Sequence, residues 1–277
     1  MGKKFSYQSD DYDRQTQRFV IPLYIKDNLG NYQYSSTGTF VKYNEHHYII
    51  FAAHALEKDI SINDIFTFTI DGTLHKIQEH SIGYKVFKEA DIVIVDHFNN
   101  AFDGKNYFNL NINSLIGFDK KHFAWTGFPI SRTKAKTIHK TKTKETLEKE
   151  HIHSDGNAIY FKNTKYFTIL SRLINQNKNS IFGKYNRKNT NLKYQGDVNM
   201  APHPKGMSGG AMYLFTKERK LKETLDDTFR FLGIGLEYKN NKTIIGISRN
   251  KIIELIDIFN RESPVELIFQ EQNSLKT

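Results

Sequence analysis

The segment Pro204-Lys-Gly-Met-Ser-Gly-Gly-Ala-Met-Tyr213 sets Ser208 between Gly206 and the pair Gly209-Gly210, just ahead of a strand-like run. A serine in that setting is equipped to attack an acyl carbon. Such a nucleophile needs an exposed Oγ and its own N–H turned toward the substrate's carbonyl oxygen. The backbone around it must also be tight enough for a second N–H to join. Glycine permits those angles and that close approach, and Gly206 is placed to give the second donor. A phosphate-cradling loop is excluded, because its GK[ST] ending is missing. A cysteine nucleophile, a thiolate metal site and a disulfide framework are excluded by a cysteine count of 0. A Gly-Ser-Gly-Gly stretch also serves as a simple turn, so the base must be sought elsewhere.

Two other segments supply it. Tyr48-Ile-Ile-Phe-Ala-Ala-His-Ala-Leu56 runs large apolar residues into a small-residue corner. That corner leaves the imidazole of His54 room to reach the serine. Glu89-Ala-Asp-Ile-Val-Ile-Val-Asp-His-Phe98 begins an apolar strand at Asp91. The Gly-x-Ser-Gly-Gly, Ala-Ala-His and Asp-Ile segments, in the order His, Asp, Ser, resemble the trypsin-like serine proteases of bacterial, cysteine-free type. The α/β-hydrolase and subtilisin orders differ. The resemblance implies a triad of His54, Asp91 and Ser208, and an oxyanion hole made by the N–H groups of Gly206 and Ser208. Asp91 would accept a hydrogen bond from His54 Nδ1 and fix its tautomer. Asp96 is the competing carboxylate. Period-2 alternation puts residues 91, 93 and 95 on one face and 96 on the other, which favours Asp91.

The likeness extends over roughly residues 18–261. Gly38-Thr-Phe40 resembles the family's segment before the histidine strand, and Trp125-Thr-Gly-Phe-Pro129 its Gly-Tyr-Pro strand. The run 231–238 resembles the strand that lines the substrate cleft, which makes Leu236, Glu237 and Tyr238 the implied substrate-binding residues. Departures are informative. Phe51 stands where the family has Thr or Ser. Met207 stands where members activated by proteolysis carry Asp, so that switch is not expected here. Pro202, six before the serine, gives no carboxylate at the pocket floor. Glu237 offers one for a basic side chain, and His203 is a further candidate for touching substrate.

The elements that must position these residues read as strands. Apolar runs of four to ten residues, rich in β-branched and aromatic side chains, cover 19–25, 37–43, 47–54, 65–70, 92–95, 122–130, 158–162, 209–215, 229–238 and 243–248. Asp71-Gly72 is a hairpin signal. Apolar spacing over 249–261 predicts a helix of about three turns. The expected fold class is all-β: two packed antiparallel β-barrels, 18–115 and 116–261, the second carrying a C-terminal helix. Residues 1–17, with Asp10, Asp11 and Asp13, are expected as a mobile arm and 262–277 as a tail. The stretches 131–151 and 173–197 are expected as surface loops or extended hairpins.

Bulk properties narrow the partners. The chain has 277 residues, enough for a sizeable core, and a formal charge of +10. That charge favours anionic partners without naming one. The expected partner is a protein or peptide substrate, with a regulatory protein as a second. Nucleic acid at the basic 132–149 stretch is a rival reading, and a catalytically silent two-barrel binding module is another. No cofactor and no metal site is expected: His46-His47 and His151-x-His153 lack a completing ligand pattern. The opening residues MGKKFS match the loose N-myristoylation pattern, but the Lys-, Asn- and Ile-rich composition is bacterial in style. No apolar signal or spanning segment is read, so the expectation is a cytoplasmic protein.

Overall fold

The computed structural model describes residues 5–8, 15–56, 60–68, 73–97, 102, 104–133, 136–154, 159–162, 164–187, 190–194 and 197–262. The Asp71-Gly72 turn, Asp10, Asp11, Asp13, Lys134 and residues 263–277 lie outside them.

The first half folds into one curled antiparallel sheet. Its strands are β1 (Val20–Lys26), β2 (Tyr32–Tyr43), β3 (His46–Ala52), β4 (Ile65–Phe68), β5 (Leu74–Lys76), β6 (Ser81–Phe87) and β7 (Ile92–His97). They lie in the order β5-β4-β1-β2-β3-β7-β6. Short strands Phe108–Asn109 and Thr137–Ile138 add to β2. β3 and β7 are central and covered on both faces, which is why they read as continuous apolar runs rather than alternating ones. Their register places the two ends together. Ala52 pairs with Ile92, so His54 and Asp91 sit just beyond the same end of two neighbouring strands.

The second half closes on itself. β8 (His122–Gly127), β9 (Phe167–Gln176), β10 (Ser180–Lys184), β11 (Ala211–Phe215), β12 (Phe229–Tyr238) and β13 (Thr243–Ser248) form a closed barrel in the order β8-β9-β10-β13-β12-β11. Closure removes the unpaired edges that an open sheet would leave. Trp125, Phe123, Ile181, Met212 and Ile244 fill its interior. A larger cluster, including Phe40, Phe108, Tyr213 and Phe231, joins the barrel to the first sheet. The helix Arg249–Glu262 buries Ile252, Leu255, Ile256 and Phe259. It reaches back to the first sheet, where Asn260 Oδ1 accepts from the Tyr48 hydroxyl at 3.1 Å. Among the described residues no helix is long and apolar enough to cross a membrane.

Two expectations change. Part of the N-terminal arm is built into the fold: Phe5–Gln8 pairs in parallel with Thr190–Tyr194, and Thr16 and Gln17 are buried. The basic stretch is no simple loop. Residues 137–138 pair with β2, and Lys144–His151 forms a helix whose first turn is capped by the Thr143 hydroxyl. Its sequence, KETLEKEH, has one aliphatic residue, Leu147, and so gives no apolar period. Within 173–197, β9 and β10 form a hairpin as far as Lys184, with exposed polar side chains at its tip.

Candidate active site

His54 lies in a short 3-10 turn, Ala53–Ala55, at the end of β3. Asp91 precedes β7 with φ 54° and ψ 41°, a left-handed conformation uncommon for a residue with a Cβ. That backbone brings three groups onto His54 and its neighbour. The Asp91 carbonyl accepts the Ala53 N–H at 3.0 Å. Carboxylate Oδ1 accepts the His54 N–H at 2.8 Å. Oδ2 lies 2.6 Å from His54 Nδ1. Main chain and ring are thus held by one carboxylate. The hydrogen bond that the His54 ring donates to Asp91, with the nearby charges of Asp91 and Glu237, raises the His54 pKa above its ordinary value, against the opposing effect of burial. Asp96 is elsewhere: it pairs across the ladder with Tyr48 and binds His46 Nδ1 at 2.9 Å.

In the serine loop nearly every backbone group is committed to a partner. The Lys205 carbonyl accepts from Ile130 N–H at 2.8 Å. A planar trans peptide then turns the Gly206 N–H the opposite way. The Gly206 carbonyl accepts from the Thr37 hydroxyl at 3.0 Å and the Tyr34 hydroxyl at 2.8 Å. Met207 N–H donates to Pro204 O at 2.8 Å, and Gly210 N–H to Met207 O at 2.9 Å. Gly209 N–H donates to Gly235 O at 2.8 Å, and Ser208 O accepts from Thr37 N–H at 3.0 Å. Between 205 and 210, two N–H groups have no acceptor among the described residues: those of Gly206 and Ser208. Both residues line the cleft that His54 faces. Two free donors of this kind can hold a developing oxyanion.

Packing fixes the loop as firmly as hydrogen bonds do. Met207 is fully buried in the barrel core. Burial of such a side chain stabilises by about 1.5–3 kcal/mol. Gly206 has φ +94°, and a Cβ there would stand 2.9 Å from Phe128 O. Gly209 has φ +85°, and a Cβ would stand 2.0 Å from Thr37 O and 3.1 Å from Ala52 N. Those two atoms belong to β2 and β3, so Gly209 is where the barrel's serine loop meets the sheet that carries His54. Gly209→Ala is expected to destabilise the protein by about 3–5 kcal/mol, read as a lowered denaturant midpoint. A midpoint within experimental error of the parent contradicts this packing.

One contact differs from the simple triad. The Ser208 hydroxyl donates to Leu236 O at 2.9 Å and has no hydrogen bond to His54. The cause is a bulge in β12: the β12–β13 register shifts between Gly235 and Glu237, which leaves the Leu236 carbonyl outside the ladder. The freed carbonyl takes the hydroxyl. Rotation about the serine χ1 is the motion that exchanges this acceptor for the imidazole.

Two clefts meet at Ser208. One, of about 600 Å³, is lined by Leu236, Glu237 and Tyr238 together with His203, Trp125 and Ile245. The other, of about 820 Å³, runs over Tyr34, Ser35, Ile60 and Ile130. His54, Lys205, Gly206 and Ser208 belong to both, so the two clefts form one path across His54 and Ser208. Glu237 sits on the exposed rim, 3.7 Å from Lys239 Nζ. Of the other histidines, His46 is bound to Asp96, His47 lies edge-on to Tyr107, and His151 is buried against Phe68. The side chain of His153 is outside the described residues. Sequence reading missed Tyr34 and Thr37, which hold the serine loop. No local signal marks them, because the strand they lie on is polar over much of its length, with Gln33, Ser35, Ser36 and Lys42.

No family model and no curated protein matches the sequence. Among solved structures, 338 chains are similar. One, described as kallikrein-related peptidase 10 in complex with Zn2+, is 11% identical, with a TM-score of 0.48 over 90% of this chain and 98% of that one. The architecture is mostly β, a curled open sheet that carries His54 and Asp91 and a closed six-stranded barrel that carries the Ser208 loop.

Proposed function

We propose that the chain is a serine endopeptidase that hydrolyses peptide bonds through an acyl-enzyme. The observation that carries this reading is the convergence on one cleft of three things: a serine, a histidine bound at 2.6 Å to a carboxylate, and two unpaired backbone donors. In this reading an extended substrate lies along β12. Its N–H takes the Leu236 carbonyl and releases the Ser208 hydroxyl toward His54. His54 Nε2 accepts the proton as Oγ attacks the peptide carbonyl. The Gly206 and Ser208 N–H groups hold the oxyanion. Asp91 keeps the Nδ1 proton in place and stabilises the imidazolium. His54 then protonates the leaving amine, and water releases the acyl group by the reverse sequence.

The test is digestion of an unfolded protein mixture by the full chain and by Ser208→Ala, with new termini identified by mass spectrometry. New termini with the parent alone are the expected result. No new termini with a folded parent contradict the reading.

A further inference from the structure

We propose, resting on the peptidase reading above, that the cleft between His203 and Tyr238 takes an acidic side chain, so that the chain cuts after aspartate or glutamate.

His203, Pro204 and Lys205 form one wall of this cleft, and residues 201–202 just before them are held from outside by Tyr185 and Arg187. The Tyr185 hydroxyl donates to Pro202 O at 2.9 Å, and Arg187 Nε donates to Ala201 O at 2.7 Å. His203 Nδ1 accepts the Lys205 N–H at 3.2 Å. The neutral ring therefore carries its proton on Nε2, which makes that nitrogen a donor. The His203 ring meets Tyr238 edge-on with centroids 5.6 Å apart, and both line the cleft beside Ser208.

Among the described residues neither Arg187 nor Lys205 has a carboxylate partner. Among the described residues Arg187 donates through Nε alone, and its charge acts on His203. Burial and the charges of Arg187 and Lys205 together hold the His203 pKa below its ordinary value, and an incoming carboxylate would relieve that. Behind the same cleft, the Trp125 indole N–H is buried and has no acceptor among the described residues. A buried donor without a partner is rare, and its dipole favours negative charge in front of it.

Three carboxylates also line the cleft: Asp91, Glu237 and Glu89. Asp91 is engaged by His54. Glu237 is beside Lys239 on the exposed rim, and Glu89 is exposed. A basic substrate side chain would face His203 and Lys205, in the field of Arg187 behind them, a juxtaposition of like charges.

The experiment uses the full chain and peptide anilides that differ only in the residue before the scissile bond: Glu, Asp, Gln, Ala, Phe and Lys. The same sample is first titrated with a fluorophosphonate to count active serines. The expected result is kcat/KM for Glu or Asp at least about 10-fold above each of the others, with the Glu-to-Gln ratio reduced about 5-fold in Arg187→Gln. Labelled protein that prefers Lys, Phe or Ala, or that treats Gln and Glu alike, overturns the acidic pocket and leaves the peptidase reading standing. Protein that neither labels nor cleaves any peptide overturns both.

Discussion

Ser208→Ala is expected to lower kcat/KM for peptide hydrolysis by about 10⁶-fold and to leave the protein folded. The removed oxygen makes one hydrogen bond, to Leu236 O at 2.9 Å. Losing a bond of that kind costs about 1 kcal/mol, a shift of a few degrees in melting temperature for a chain of this size. The oxyanion donors, the His54–Asp91 pair and the buried Met207 do not depend on the hydroxyl. Kinetics and a thermal melt on one preparation check both halves. Retained hydrolysis in the variant means that another group is the nucleophile.

Asp91→Asn is expected to lower kcat by about 10⁴-fold, for a different reason. The amide oxygen can still accept the His54 main-chain N–H, now made to Oδ1 at 2.8 Å. Asn also tolerates the left-handed backbone at this position, where φ is 54°. The fold is therefore kept. The amide NH2 then faces Nδ1 as a donor, so the ring's proton moves to Nε2, and the nitrogen that should accept the serine proton is blocked. A second signature separates this from simple damage. Asp91 is the main cause of the raised His54 pKa. The free base is the active form, so in the parent the rate falls as pH drops through a midpoint above 6.5, the ordinary imidazole value. In Asp91→Asn that midpoint is expected to move down. A pH profile of kcat/KM on both proteins reads it. An unchanged midpoint means that Asp91 does not act on His54.

Much of the site was legible in the sequence because backbone geometry demands particular residues there. Gly206, Gly209 and Gly210 mark a loop that no side chain could enter, and the corner Ala52-Ala53 marks where a ring must turn. β3 and β7 were readable because both faces are buried. The closing helix was readable because its apolar spacing is regular. What escaped had no local signal. The Thr143-capped helix has too few apolar residues to show a period. The parallel pairing of Phe5–Gln8 with Thr190–Tyr194 links residues far apart in the chain. The resting bond from Ser208 to Leu236 depends on a bulge, which is a property of strand register and not of composition. The cationic wall near His203 joins Arg187 to Lys205 across a loop, and neither residue marks the other in sequence.

The central claim is that Ser208 is an activated nucleophile. Intact-mass measurement after exposure to a fluorophosphonate tests it most directly, because the reagent bonds only to a serine oxygen that a neighbouring base can deprotonate. The expected result is a single adduct on the parent, none on Ser208→Ala and sharply slowed labelling of His54→Ala. An unlabelled, folded parent, or an adduct that persists in Ser208→Ala, contradicts the claim.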